Sequence, residues 1–181
     1  MIASAQVWLV SAIERHSPVA DLMRTAWAWP IAESLHFLGL CLLVGAIGSF
    51  DLRLLGVARS VPIAAVHRLI PWGLLGFAIN LASGLMFVLT EPDQYIYNPS
   101  FHLKALFLGI AGVNASLFYV TSFRQAFGRS PSLDAPRRAK VIAFVSLCAW
   151  LTIIVCGRMI TFYRPGPCVG DRGLILTCDP D

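Results

Sequence analysis

Glu33 and His36 place a carboxylate and an imidazole three residues apart within an apolar stretch. Residues at this spacing share one face of an α-helix, so the two side chains are predicted to project together. Further along the chain, His102 and Lys104 lie near the start of another apolar stretch, and Arg158 lies near the end of the last one. Ionisable groups are costly inside a membrane, so these five are the candidates for chemistry.

A b-type haem is the first cofactor that these residue types suggest. Two neutral imidazoles on separate helices can provide its axial ligands, and His36 with His102 is the available pair. Lys104 or Arg158 could pair with the propionates. The depths of the two histidines are a difficulty, because two axial ligands must meet one iron at the same level. His36 lies ~13 Å below the start of its apolar run, whereas His102 is close to the start of its own.

The same residues allow other interpretations. Glu33 and His36, with or without His102, could bind copper or zinc. Alternatively, His36 bonds to Glu33 or to a hydroxyl such as Ser34 or Ser146, and His102 is simply solvated at the membrane interface. Arg158 could extend its guanidinium to the headgroups without binding a cofactor. These alternatives remain open from the sequence.

Long apolar runs must position these groups. The chain is 57% hydrophobic and 13% charged, with a mean hydropathy of +0.70, whereas soluble domains are about 25% charged. Runs of about 20 residues are long enough to cross ~30 Å of hydrocarbon, and in lipid they must be helical. The sequence therefore predicts an all-α membrane protein, a four-transmembrane-helix bundle. Its predicted spans are Trp27–Phe50, Leu69–Leu89, Phe101–Phe123 and Val141–Phe162.

The distribution of basic residues predicts the orientation. Eight of the 14 Lys and Arg residues lie in or beside the first and third connections, whereas residues 90–100 carry Glu91 and Asp93 and no basic residue. Basic loops stay on the cytoplasmic side, so both termini are predicted to be periplasmic and the protein to lie in the inner membrane. His67, at the cytoplasmic edge of the second span, is predicted to be solvated. The eight residues are Arg53, Arg59, Arg68, Arg124, Arg129, Arg137, Arg138 and Lys140.

Two flanking segments complete the predicted organisation. Residues 1–26 are interpreted as an interfacial amphipathic segment, with Trp8 as its aromatic anchor and a short helix starting at Ser17-Pro18. Residues 164–181 are interpreted as a short periplasmic hairpin. An oxidising compartment would join its Cys168 and Cys178 in a disulfide.

Small and amide residues are predicted to pack the bundle. Asn80 and Asn114 lie deep within the second and third spans, where an amide without a partner is costly, so each is predicted to hydrogen-bond to a neighbouring helix. The glycines are predicted at helix contacts, as are Ala105 and Gly109, which have the spacing of a small-xxx-small motif. Cys41, Cys148 and Cys156 are interpreted as small packing residues.

Several function classes lack support in the sequence. The net charge of +4 is explained by the loops between spans, so nucleic-acid binding has no basis. Neither a metalloprotease HExxH motif, a glycine-rich phosphate loop nor a G-x-S-x-G motif occurs. We therefore expect no catalytic residue.

A resemblance rests on motifs between about residues 27 and 120. The stretch from Trp29 to Leu40, WPIAESLHFLGL, continues through Gly45 to the DLRLLG ending at Gly56. With further motifs, this pattern resembles a family of uncharacterised bacterial inner-membrane proteins. The resemblance implies a four-helix bundle in the broad company of cytochrome b561-type and CopD-type membrane bundles, with no established activity. The further motifs are Pro71-Trp72, Gly76-Phe77, Ser83-Gly84, Met86-Phe87, Asn98-Pro-Ser-Phe101, Lys104 and Asn114.

These observations give three expectations for function. The first is a small membrane subunit that binds haem b through His36 and passes electrons to a periplasmic redox partner or anchors it. The second is a structural or assembly subunit without a cofactor. The third is copper handling at Glu33 and His36. The expected partners are the lipid bilayer and a periplasmic protein, a membrane protein or a second copy of the chain.

Overall fold

Four long helices dominate the computed structural model, which describes residues 8, 10–13, 18–127 and 134–163. Every regular element in these ranges is helical. Four helical segments are long and apolar enough to cross a membrane, as the composition predicts. Large apolar side chains remain exposed along all four, as lipid-facing surfaces require. We label the four helices α1 (Ala28–Leu55), α2 (Ile70–Thr90), α3 (Pro99–Leu117) and α4 (Arg137–Met159).

Helix α1 is longer than its apolar run. The run was predicted to end at Phe50, but the helix continues through Asp51 and Arg53, both of which are buried by the bundle. It ends where Gly56 adopts a left-handed conformation with φ of 105°, which a residue without a side chain adopts at little cost. At 28 residues, or ~42 Å, the helix exceeds the ~30 Å of hydrocarbon.

The connections on either side of α2 are short helices. Residues Ile63–His67 form one turn before α2, and Pro92–Ile96 form another after it. Asn98 then caps α3, because its side chain accepts a hydrogen bond from the backbone N–H of Ser100. The same amide donates to the carbonyls of Ile160 and Tyr163, at 3.0 and 2.7 Å. One buried asparagine therefore ties the start of α3 to the end of α4.

Helix α3 contains a change of helical type. After Leu117 the chain forms a π-helical segment, Phe118–Ser122, and then one more α-helical stretch, Phe123–Phe127. Together they extend the third span to Phe127, and from here on α3 denotes this whole segment, Pro99–Phe127. The predicted span ended only four residues earlier, so the sequence located this helix well but gave no sign of the π segment.

The helices pack as two pairs, α1 with α2 and α3 with α4, joined by a seam between α1 and α4. The start of α1 and the end of α4 lie on one side, which we call the terminal face. The opposite side holds the connection between α1 and α2 and residues 134–136, and we call it the basic face. Asp134 stands there 3.2 Å from the Lys140 ammonium and 3.3 Å from Arg59. The hydrogen bond from Lys140 and the nearby cations hold the pKa of Asp134 below its usual range.

Glycines hold α1 and α2 in direct contact. A β-carbon added at Gly76 would lie 2.6 Å from the Gly39 carbonyl oxygen and 2.7 Å from the Leu43 nitrogen. One added at Gly39 would lie 2.8 Å from the Gly76 carbonyl oxygen. Because apolar attraction between helices is weak in lipid, such backbone contact is a main source of association. The prediction that glycines pack this bundle is confirmed for the α1–α2 pair.

Other small residues do not pack as predicted. Gly45, Gly48, Gly109 and Gly112 have no atom within 4 Å of an added β-carbon. Ala105 and Gly109 are both exposed on α3, so their small-xxx-small spacing marks no helix contact in the described chain. Spacing alone was misleading there, because α3 turns a different face towards α4.

The remaining predictions for the periphery have mixed outcomes. A short helix does begin at Pro18 and runs to Met23. Cys156 is buried, as a packing residue should be, but Cys41 and Cys148 are exposed. The proposed disulfide of the C-terminal tail falls outside the described residues and stays a prediction.

We predict that Gly76→Ala destabilises the protein strongly. The new methyl group meets backbone atoms that cannot move without separating α1 from α2, so we expect a loss of about 1–3 kcal/mol or more. Thermal unfolding of the purified protein in detergent measures it. Gly109→Ala is the matched control, and it should be neutral or stabilising by up to ~1 kcal/mol, because alanine is the better helix former. Equal melting temperatures for the two variants would contradict the packing described here.

Candidate functional site

His36 lies one turn from the α1–α2 contact, in the half of the bundle towards the terminal face. Its Nδ1 is 2.9 Å from the Ser83 hydroxyl of α2. The Asn80 side chain donates to the backbone carbonyl of His36 at 2.8 Å. The prediction that Asn80 bonds across to a neighbouring helix is therefore confirmed. The hydroxyl that holds the imidazole is Ser83, rather than the suggested Ser34 or Ser146.

The hydrogen bonds of Ser83 assign the tautomer of His36. The Ser83 oxygen lies 2.7 Å from the carbonyl of Ile79 and 3.2 Å from that of Asn80, and both are pure acceptors. From these two short distances we infer that the hydroxyl donates its proton to a carbonyl and that His36 Nδ1–H donates to the serine oxygen. It follows that Nε2 carries the lone pair. We call this chain of hydrogen bonds, from His36 to Ser83 and on to a backbone carbonyl, the Ser83 relay. It leaves Nε2 of the imidazole able to accept a proton or bind a metal ion.

An aromatic side chain, Phe87, packs against the imidazole of His36. The rings of His36 and Phe87 meet edge to face with centroids 5.6 Å apart, and Trp29 packs on Phe87 at 5.0 Å. Gly84 lies beside the ring, since an added β-carbon there would be in ordinary van der Waals contact with His36 Cε1, at 3.5 Å. The ring is half-buried. Phe87 and Trp29 therefore restrict its rotation without closing off the site.

A lysine and a cysteine complete the polar groups of this half. The Lys104 side chain of α3 lies along Gly157 of α4, with its ammonium 3.6 Å from the position of an added β-carbon. Its charge acts on His36 and on the buried thiol of Cys156. His36 and Lys104 lie in the same half of the bundle, and their convergence on one site stays a prediction. An imidazole, an ammonium and a thiol from three helices share the terminal half.

The other predicted residues lie outside this group. Glu33 is exposed, and its charge reaches Tyr95 in the short helix after α2, where burial, Glu91 and Glu33 together raise the pKa of Tyr95 to about 12. Arg158 is exposed, with its guanidinium 5.6 Å from the centre of the Phe162 ring.

His102 is not brought to His36. It is exposed, and its closest described ring contact is the adjacent Phe101, at 6.3 Å. It is two residues from Lys104, which places the two side chains roughly 200° apart around α3. Since the Lys104 side chain lies along α4, His102 projects from the opposite face of α3. Within the residues that the structure describes, no three His, Cys, Asp or Glu side chains are grouped to hold a metal ion.

The basic half contains two further polar groups, His67 and Asp51. His67 was predicted to be solvated, but it is half-buried. It lies 3.2 Å from the Tyr119 hydroxyl and against the rings of Phe50, Phe123 and Phe127. The aromatic residues at the end of α3 were the feature of the sequence that could have indicated the burial of His67. Asp51 is 5% exposed and interacts with the Ser146 hydroxyl of α4.

Comparisons with known proteins add nothing to this geometry. Neither a family model, a curated protein nor a solved structure matches the chain. The resemblance of residues 27–120 to uncharacterised inner-membrane proteins therefore stays a prediction.

We predict that His36 is in the Nδ1–H tautomer. Nitrogen NMR of histidine-labelled protein in detergent or lipid reports the protonated nitrogen, and His36→Gln assigns the signal. Ser83→Ala removes the acceptor and should mix the two tautomers, whereas Ser49→Ala, at an exposed serine of α1, should change nothing. An Nε2–H signal in the unmodified protein would contradict the assigned relay.

Proposed function

We propose that this chain is a small integral subunit of the bacterial inner membrane that binds a b-type haem through His36. It passes electrons to a periplasmic redox partner or anchors that partner. The observation that carries the proposal is the Ser83 relay, because a ligating histidine characteristically donates its second ring N–H to an acceptor that fixes its tautomer. The neutral Nε2 of His36 is then a suitable axial ligand.

The fit of the chain to haem is limited to one axial position. His36 would hold the iron, and Lys104 would pair with a propionate. His102 faces the opposite side of α3, so we assign it no ligand role. The cavity between α1 and α4, lined by Val44 and Trp150, measures about 40 Å³, which is too small for a porphyrin. When bound, the cofactor would supply a one-electron carrier.

The proposed orientation places the His36 half towards the periplasm. Exposed basic residues gather at the basic face, and this asymmetry supports a cytoplasmic position for that face. The terminal face carries Glu91 and Asp93 in its connecting loop instead. A periplasmic partner would then approach the same end of the bundle as His36.

A second candidate is a structural or assembly subunit without a cofactor. The observation that favours it is that His36 already joins two helices, through its ring to Ser83 and through its carbonyl to Asn80. Such bonds contribute about 0.6 kcal/mol each on average within membranes. In this role the polar groups of the terminal half serve packing alone. Copper handling, the third candidate, would use the same Nε2.

The test is an absorption spectrum of the protein purified in detergent from haem-replete cells, oxidised and then reduced with dithionite. We expect a Soret band and a reduced α-band that are lost in His36→Ala but kept in His102→Ala. Thermal unfolding of both variants shows that the loss is not a failure to fold. A well-folded protein without a Soret band would refute the haem proposal. Metal analysis of the same sample then separates copper handling from the structural role.

We also predict that the terminal face is accessible from outside the cell. A membrane-impermeant maleimide applied to intact cells should label Asp93→Cys, in the loop after α2. It should label Ser60→Cys, in the loop after α1, only after permeabilisation. Both positions are exposed in the structure. The reverse pattern would overturn the proposed orientation.

A further inference from the structure

Asp51 is a carboxyl group buried in the half of the bundle towards the basic face, where the proposed function assigns no role. It lies on α1, one turn before the helix ends at Leu55, and is 5% exposed. Among the described residues, the Ser146 hydroxyl of α4 acts on it as a hydrogen-bond donor, while its Oδ2 has no hydrogen-bond partner. An acidic side chain so placed is rare in membrane helices and is functional by default.

The basic groups near Asp51 are engaged elsewhere. Arg53 is only two residues along α1 and so projects from another side, where it donates to the carbonyls of Arg59 and Val61 in the loop. Lys140 of α4 pairs with Asp134 at 3.2 Å.

The remaining polar groups on the elements packed around Asp51 have their own partners. His67, from the short helix before α2, contacts the Tyr119 hydroxyl of α3. Asn114 of α3 donates to the carbonyl of Ile142, one turn from Ser146 on α4. Asp51 therefore faces a hydroxyl and no described cation.

A second observation marks this level of the bundle. The residue before Asp51, Phe50, packs edge to face on Phe118 with ring centroids 5.4 Å apart. Phe118 is the first residue of the π-helical segment of α3. Short π-helical segments within α-helices occur frequently at functional sites, because they shift the side chains that follow. The irregular turn thus packs against the residue that precedes the buried carboxyl.

The surroundings determine which form of the carboxyl is tolerated. An ionised carboxylate in apolar surroundings is expensive unless a cation or several donors compensate it, and Ser146 supplies one donor. A neutral carboxyl carries no charge to compensate. We propose that Asp51 and Ser146 form a proton-binding site, in which the carboxyl holds a proton and exchanges it with the aqueous phase at the basic face. Its position one turn from the end of α1 makes that route short.

Dicyclohexylcarbodiimide tests the proposal, because this apolar reagent partitions into membranes and adds to neutral carboxylic acids. The acid transfers its proton to one nitrogen of the reagent while the carboxylate oxygen bonds to the central carbon. The adduct rearranges to a stable N-acylurea, with nothing lost. We expect mass spectrometry of the full chain in lipid vesicles to locate the adduct at Asp51, with labelling that falls as the pH rises.

Matched variants and a second reagent make the result decisive. Asp51→Asn should fold, keep its melting temperature within a few degrees and lose the adduct. Ser146→Ala should shift the pH midpoint of labelling, whereas Ser49→Ala, at an exposed serine of α1, should not. A water-soluble carbodiimide should leave Asp51 unmodified. Folded protein in which Asp51 stays unlabelled at every pH, or reacts equally with the water-soluble reagent, overturns the proposal. None of these outcomes depends on whether haem binds His36.

Discussion

Where α1 crosses α2, a β-carbon at Gly76 would come within 2.6 Å of the Gly39 carbonyl oxygen, so the two backbones touch. This contact fixes the register of the helix pair. From Gly76, spacings of three and four residues along α2 lead to the side chains that meet His36. They are Asn80 at its carbonyl, Ser83 at its Nδ1 and Phe87 at its ring edge. The terminal-half site is therefore a consequence of how closely these two helices approach.

The polar side chains of this bundle fall into two groups, those that packing has supplied with hydrogen-bond partners and those with a hydrogen-bonding group left over. Asn80, Asn114 and Asn98 each reach a backbone carbonyl on another helix or helix end, and their role is complete in holding the fold. His36 has one nitrogen committed and one available, and Asp51 has one oxygen with a donor and one without. In lipid, incomplete satisfaction is costly, so these two residues are the ones that a purely structural account leaves unexplained.

The sequence was informative where a single helix determines the outcome. Apolar runs located the four long helices, and the cost of a lone amide in lipid anticipated the cross-helix bonds of Asn80 and Asn114. It was uninformative where two helices must be in register. Residue spacing shows which side chains share a helix face, but it does not show which helix packs against that face. Ser83 could therefore not be assigned as the partner of His36 from the sequence. For the same reason, Ala105 and Gly109 indicated a helix contact that α3 does not make. His67 was misjudged since its aromatic partners come from the distant end of α3.

Glu33 and Asp51 show why depth alone cannot rank the ionisable groups. They are 18 residues apart on α1, or ~27 Å, so each lies near one margin of a ~30 Å hydrocarbon layer. Glu33 is exposed, so headgroups and water at that margin would solvate its charge. Asp51 is 5% exposed and meets Ser146 of α4, so packing removes that solvation at a comparable depth. The two carboxyl groups therefore differ in the solvation of their charged forms, and helix packing, rather than position along the membrane normal, is the cause.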